Sequence, residues 1–311
     1  MIRYLRHKEI DKKRWDECID GSVNRIIYAF SWYLDITAPG WDALVEDDYA
    51  AVFPLIHKRK FGIRYLYQPY YVQQLGLFSG GLLTGELVSR FVSAIPVKFR
   101  FAEIHLNTMN NPGTGGYQLT TRANYEIDLI SPYETLSSKY AENTRRNLKK
   151  SASNELFLKK NIEPDELITL FRKNYGKKEE ALKFEHYDTL RQLLDACLKK
   201  TYSRITGTVD GNGKLCAAAF FLEYRDRAIF LFAASDYLSR ENGAMFFLID
   251  QYIREHAGKN LTLDFEGSND ANLARFYKGF GASESSYPMI TFNRLPSLIA
   301  KGVYFMKKFR R

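Results

Sequence analysis

Residues 228–281, AIFLFAASDYLSRENGAMFFLIDQYIREHAGKNLTLDFEGSNDANLARFYKGFG, constrain the fold more than any other stretch of this chain. They read as strand, loop, helix, strand, helix. An apolar run over 228–234 stops at Ser235 and Asp236, and a helix opens near Glu241, Asn242 and Gly243. A second apolar strand over 261–265 leads through Gly267 and Ser268 into a short helix that ends Phe276-Tyr277-Lys278-Gly279-Phe280-Gly281. A strand aimed at a helix N-terminus is a ready site for a phosphate or a carbonyl oxygen, because the first backbone N–H groups of a helix have no partner.

A chain of 311 residues suggests two domains or one large one. Hydrophobic residues make up 45%, enough for two sizeable cores, so disorder is not expected. The net charge of +9 suits nucleic acid, a membrane surface or a phosphorylated ligand, although a generally basic solvated surface is the favoured reading. Cys18, Cys197 and Cys216 show neither metal spacing nor a disulfide framework. A reducing cytoplasm and no metal are therefore expected. The N-terminus MIRYLRHKEIDKK lacks the apolar core of a signal peptide, and no apolar run reaches the ~20 residues that span a bilayer.

Taken in order, the chain predicts strands over 2–6, 41–46, 50–57, 63–68 and 101–106, with helices over 10–19, 30–36 and 84–94. The Asn- and Gly-rich stretch 107–118 reads as a surface loop, and 123–130 as a strand. Ser131-Pro132-Tyr133-Glu134 predicts a helix start, with Ser as N-cap and Pro at the first helical position. The helical region that follows carries Arg145, Arg146, Lys149 and Lys150; a solvated basic face is favoured over a nucleic-acid contact. Helices over 164–175 and 186–199 precede strands over 203–209 and 215–224, joined by the turn Asp210-Gly211-Asn212-Gly213. A strand near 286–293 closes the second unit. The apolar, basic tail 295–311 suits either a membrane-surface contact or a helix packed back on the domain; Pro296 and Gly302 favour the latter.

Each half reads helix, helix, strand, turn, strand, strand, helix, strand, so two similar mixed α/β domains are expected. The first covers 1–130, a helical segment 131–160 bridges, the second covers 161–294, and the tail follows. Only the second half carries the FYKGFG ending, which places the working site there or between the domains.

The sequences SKYAENTRRNLKK (138–150), AASD (233–236), LDFEGS (263–268) and ARFYKGFGA (274–282) resemble the GCN5-related N-acetyltransferase superfamily. The layout resembles its double-domain branch, the FemAB-like peptidoglycan aminoacyltransferases and their relatives. The resemblance implies two tandem acetyltransferase-like domains, each a mixed sheet flanked by helices. It also implies an acetyl-CoA or other acyl-CoA donor. Ser239, Arg240, Asn242, Gly243 and Ala244 would hold its pyrophosphate, and Phe232, Ala233 and Ala234 its pantetheine arm. Tyr277 matches the tyrosine that protonates the leaving thiolate. The sequence departs from the family at Met245, which stands where a small residue closes the phosphate loop. It departs again at Asp270, which stands for an asparagine seven residues before the tyrosine, with Asn269 and Asn272 as neighbours; Asn272 joins the donor-binding set. FemAB-type ligases often carry lysine where this chain has Tyr277, which favours an acyl thioester.

Asp236, Glu223 and Glu266 are candidate bases for the acceptor amine, each at or near a strand expected to face the cleft. His186 and His256 sit on helices without a triad or metal pattern. The reading is an N-acyltransferase acting on an amine, amino sugar or peptide-like, in a cleft between the domains, with a role in cell-envelope biosynthesis. The alternatives are an aminoacyl-tRNA-dependent ligase that uses Arg145 to Lys150 for tRNA, and a non-catalytic binding protein on a degenerate fold. The sequence assigns no oligomeric state.

Overall fold

The computed structural model describes residues 1–175, 182–267 and 270–295, the side chain of Arg240 excepted; residues 268–269 and the tail beyond 295, on which parts of the sequence reading fall, lie outside them. The chain divides into two compact units, residues 1–122 with the chain from 286 on, and residues 123–285. Unit 1 runs β1 (Ile2–Leu5), α1 (Lys12–Gly21), α2 (Ser31–Thr37), β2 (Asp42–Glu46), β3 (Ala51–Leu55), β4 (His57–Lys60), β5 (Ile63–Leu66), β6 (Phe78–Ser79), α3 (Gly85–Ser93) and β7 (Phe99–His105). Strand β8 (Gln118–Asp128) leads into unit 2. There follow α4 (Tyr133–Ser138), α5 (Glu142–Ala152), β9 (Phe157–Lys160), α6 (Pro164–Tyr175), α7 (Phe184–Lys199), β10 (Ser203–Val209), β11 (Leu215–Tyr224) and β12 (Arg227–Ser235). Then come α8 (Ser239–Asn242), α9 (Ala244–His256), β13 (Thr262–Asp264), α10 (Ala271–Lys278) and β14 (Ser283–Asn293).

The strand ladders carry the repeat that the element order suggests. In unit 2, β9, β10, β11 and β12 pair antiparallel in succession, β12 and β13 pair parallel, and β13 pairs antiparallel with β8. In unit 1, β1, β2 and β3 pair antiparallel, with β6 beyond β3. Its second sheet repeats the other half of the pattern: β4 and β5 antiparallel, β5 and β7 parallel, β7 and β14 antiparallel. What reads in sequence as one strand over 50–57 is interrupted at Ile56 and divided between the two sheets. The fold class is mixed α/β, with each sheet flanked by helices.

Two local expectations differ from the structure. The strand near 286–293, expected to close the second unit, pairs with β7 through Met289↔His105 to Asn293↔Phe101. The physical reason is burial: Ile290 and Phe292 pack into the unit 1 core beside Phe99, Ala102 and Ile104. The helix expected to start on a Ser131 cap begins at Tyr133 instead, with Pro132 as N-cap and no side-chain cap bond. Proline's fixed φ and extended ψ serve the cap position, and its carbonyl accepts from Thr135 and Leu136. The helical region is also broken at Lys139–Ala141, where the Ala141 N–H donates to the Gly279 carbonyl.

Helix α9 forms because Leu248, Ile249, Tyr252 and Ile253 recur on one face, which it buries against β10 and β11. Tyr252 stacks on Phe221 with ring centroids 3.8 Å apart. Tyr133 and Tyr140 both donate hydroxyl hydrogen bonds to the buried Asp250 carboxylate of α9, at 2.7 and 3.0 Å. Across β8, β12 and β13 lies a charged clasp: Arg227 reaches Glu126 at 2.7 Å and Asp264 at 2.6 Å, and Asp264 also accepts from Asn124. Asp264 is only 1% exposed. Removing the cation while keeping that carboxylate is therefore costly. We expect Arg227→Met to lower the unfolding free energy by about 3 kcal/mol, read from urea denaturation; the double variant Arg227→Met with Asp264→Asn should recover much of it.

Candidate functional site

Strand β12 pairs with β13 only from Arg227↔Thr262 to Ile229↔Asp264. Beyond that the two part, and a bulge accompanies the parting. Phe221 of β11 opposes Phe230 and Phe220 opposes Phe232, which leaves Leu231 as the extra residue. A bulge bends its strand and sharpens the local twist. Residues 230–235 therefore follow β11, while Phe265 and Glu266 follow β8, with Phe265 donating to the Tyr125 carbonyl at 2.9 Å. Alternate backbone N–H and C=O groups of 230–235 point away from β11 and face the gap.

The gap opens a cleft of about 610 Å³, floored by β12 and walled by α6, α9 and α10. Of the residues singled out by sequence, Phe232, Ala233, Ala234, Ser239, Glu266 and Tyr277 line it. Tyr277 is 8% exposed and stacks on Phe265 at 4.8 Å between centroids. Among the described residues, none hydrogen-bonds to its hydroxyl. Burial, aided by the negative Glu266, Asp264 and Asp270, pushes the phenol well above its ordinary pKa. The group is thus a proton donor at every ordinary pH. Glu266 sits in the left-handed region at φ 60°, its N–H bonded to the Asp264 carboxylate at 2.8 Å.

The other candidates sit elsewhere. Asp236 pairs with Lys214 at 2.8 Å and accepts the Ser239 N–H at 2.8 Å, so it ties down the turn into α8. Asn242 accepts the Ala244 N–H at 3.0 Å, and the Gly243 N–H goes to the Ser239 carbonyl at 3.1 Å. Gly243 has φ 75°, and a Cβ there would lie 2.4 Å from the Asn147 carbonyl of α5. The start of α9 is therefore packed against α5. Asn272 lies in the first turn of α10, its N–H bonded to Asp270, which caps that helix. Arg240 belongs to α8, its side chain outside the described set.

Glu223 stands at the opposite end of β11, opposite Ala228 and before the bulge. It pairs with Arg204 at 2.8 Å and accepts from Tyr252 at 2.9 Å. His256 belongs to the same cluster. Its Nδ1 bonds the Tyr252 carbonyl, so its Nε2 is free of a proton and accepts from Arg204 at 2.9 Å. Sequence reasoning missed α6. Phe171 packs on Phe232 at 4.8 Å, and the Tyr175 hydroxyl bonds Ser235 at 3.1 Å. The signal was there: an aromatic pair at i, i+4 on a helix already identified.

Neither a family model nor a curated protein sequence matches the chain. Solved structures do. The chain is similar to FemX, at 12% identity and a TM-score of 0.63, covering 97% of this chain and 99% of that one. It is similar to the C-terminal domain of a putative lysylphosphatidylglycerol synthetase from Agrobacterium fabrum, at 12% identity, TM-score 0.53, and coverage of 94% and 95%. It is also similar to an acetyltransferase of the GNAT family from Colwellia psychrerythraea, at 14% identity, TM-score 0.50, and coverage of 94% and 100%. The chain has the tandem acetyltransferase-like, FemAB-type fold. Among the described residues, no helix is long and apolar enough to cross a membrane.

Two outcomes follow from this geometry. Gly243→Ala combines a left-handed backbone with a blocked Cβ, and should cost more than about 1 kcal/mol in chemical denaturation. For His256, burial and the Arg204 guanidinium hold the pKa below its ordinary value, with Glu223 opposing. The folded protein binds this proton less well than the unfolded chain. The contribution is thus present above the unfolded pKa of about 6.5 and lost as pH falls through the lower folded value. Unfolding free energy should fall between pH 7 and 5, and His256→Gln should flatten that slope.

Proposed function

We propose that unit 2 transfers an acyl group to an amine, with the donor laid along the open edge of β12 and Tyr277 as the general acid. The observation that carries this reading is a buried phenol, held protonated, in the wall of a cleft floored by unspent backbone groups. In the step, the amine nitrogen attacks the acyl carbon and a tetrahedral centre forms. Its collapse breaks the bond to the leaving group, which takes the Tyr277 proton. The amine loses its own proton to a base, for which Glu266 is the carboxylate lining the cleft. Backbone N–H groups on the free edge of β12 supply hydrogen bonds to the developing oxyanion.

An acyl-CoA thioester is the donor that suits Tyr277 and the narrow apolar floor of Phe232, Ala233 and Ala234. A second reading has its own observation. The Ala244 N–H is bonded to Asn242 and the Gly243 N–H to the Ser239 carbonyl, and Gly243 is pressed on the Asn147 carbonyl, so a pyrophosphate meets a crowded helix start. That favours a donor gripped elsewhere, the aminoacyl-tRNA of FemAB-type ligases, with the exposed Arg146, Lys149 and Lys150 of α5 beside the crowded turn.

The donor is decided by titrating the full chain with acetyl-CoA and with aminoacylated tRNA. Saturable acetyl-CoA binding, lost on Ala234→Trp, supports the thioester; binding of tRNA alone removes it. Under either donor, Tyr277→Phe should lower kcat by about a hundredfold while leaving donor affinity within about twofold. An unchanged kcat removes Tyr277 from the chemistry.

A further inference from the structure

The β4–β5 hairpin of unit 1 is built at a local cost. Lys60 opposes Ile63, so the turn is the two residues Phe61 and Gly62. Both have positive φ, 51° and 78°. That turn ordinarily takes Asn-Gly or Gly-Gly, because a bulky residue is strained there. Phe61 is also 81% exposed, with the Lys60 ammonium 5.5 Å from its ring centroid, so it gains little apolar packing in return. Its flanks are cationic. Lys58, Arg59, Lys60 and Arg64 are all exposed, and among the described residues none is ion-paired. Arg59 lies directly opposite Arg64, a like-charge pair that destabilises a ladder.

The surroundings extend the pattern. Because β5 and β7 run parallel, the hairpin tip and the loop before β7 lie at the same end of the sheet. That loop presents Val97, which is 73% exposed. Strand β14 ends there too, where Arg294 donates to the carbonyls of Arg100 and Ile95 at 2.7 and 3.2 Å. Burial and the neighbouring Arg100 lower the pKa of Arg294. Burial, Arg64 and Arg6 lower that of Lys98, against the pull of Asp42. Lysines alone would be an ordinary guard on an edge strand. They do not account for a strained, exposed phenylalanine at the tip, or for Val97 at the same end of the sheet.

We propose that this end of unit 1 is a peripheral docking surface for an anionic lipid bilayer, with Phe61 and Val97 entering the headgroup layer and Lys58, Arg59, Lys60 and Arg64 binding lipid phosphates. Charge complementarity selects the partner, since several unpaired cations surround two exposed apolar tips. An aliphatic tip such as Val97 has no stacking role on RNA, which places the lipid surface ahead of nucleic acid. The proposal is independent of the acyl-transfer reading.

The test is co-sedimentation of the full chain with vesicles of phosphatidylcholine alone and of phosphatidylcholine with about 30% phosphatidylglycerol at physiological salt. Partitioning should be at least about tenfold stronger on the anionic vesicles and fall by about tenfold in K58E/K60E. Phe61→Asn is the decisive variant. Asparagine suits the turn, so the thermal midpoint should rise while vesicle binding falls severalfold, which misfolding would not produce. Absence of anionic-vesicle binding overturns the proposal, as does binding unchanged in K58E/K60E and F61N. So does binding that only a tail variant, K307E/K308E, abolishes. Loss of tRNA binding in K58E/K60E with vesicle binding intact would assign the hairpin to RNA and equally overturn it.

Discussion

The bulge at Leu231 is the constraint on which the working half of this molecule depends. Without it, β12 would continue beside β13 and its edge hydrogen bonds would be spent in a ladder. With it, pairing ends at Ile229↔Asp264 and the two strands take different neighbours. The Arg227 clasp lies at the closed end of this fork, holding Glu126 and Asp264 across three strands. A fork needs a firm base if its arms are to stand apart, and the clasp supplies one. Tyr277 can then be buried on Phe265 while its hydroxyl stays free of partners among the described residues, because the space it would otherwise lose to a paired strand remains open.

Burial sets the chemistry of that hydroxyl. Desolvation raises the phenol's pKa, and the nearby carboxylates of Glu266, Asp264 and Asp270 raise it further. The same carboxylates would favour a cation. A lysine at 277 would be stabilised by them and carry its charge into an apolar wall. The tyrosine instead places a neutral hydroxyl in that wall, kept protonated by the same surroundings.

How much of this is visible in the sequence depends on whether the signal is local. The apolar run before Ser235, the helix of Leu248, Ile249, Tyr252 and Ile253, and the FYKGFG ending are local, and each is legible from periodicity. The parting of β12 and β13 is not, because a bulge is defined by its partner strand and nothing at Leu231 marks it. Glu223 shows the same limit. It reads as a strand acid near the cleft, yet the register against Ala228 places it at the other end, where Arg204 and Tyr252 hold it. Ser131 fails for a different reason: proline next to it already supplied the cap geometry. The pairing of β14 with β7 joins residues nearly two hundred positions apart, and an alternating strand carries no record of which sheet it will enter.

The two units make the physical point together, each considered in itself. Both contain a parallel pair, β5 with β7 and β12 with β13, followed by a divergence. In unit 2 the divergence is open. In unit 1 the chain fills it with its own residues: Gln68 accepts from the His105 N–H at 3.3 Å, Leu75 donates to the His105 carbonyl at 2.9 Å, and Leu75 bridges to Leu106. The remaining cavity beside Gln68 and Leu75 is about 10 Å³, too small for any acyl carrier. The long connection between β5 and α3 thus satisfies, inside unit 1, edge groups at the end of β7 that β5 leaves unpaired. A duplicated fold that closes one fork with its own chain leaves the other copy's fork as the candidate site. The absence of an FYKGFG-like ending in the first half fits that division, since a fork already filled by backbone has no place for a proton donor.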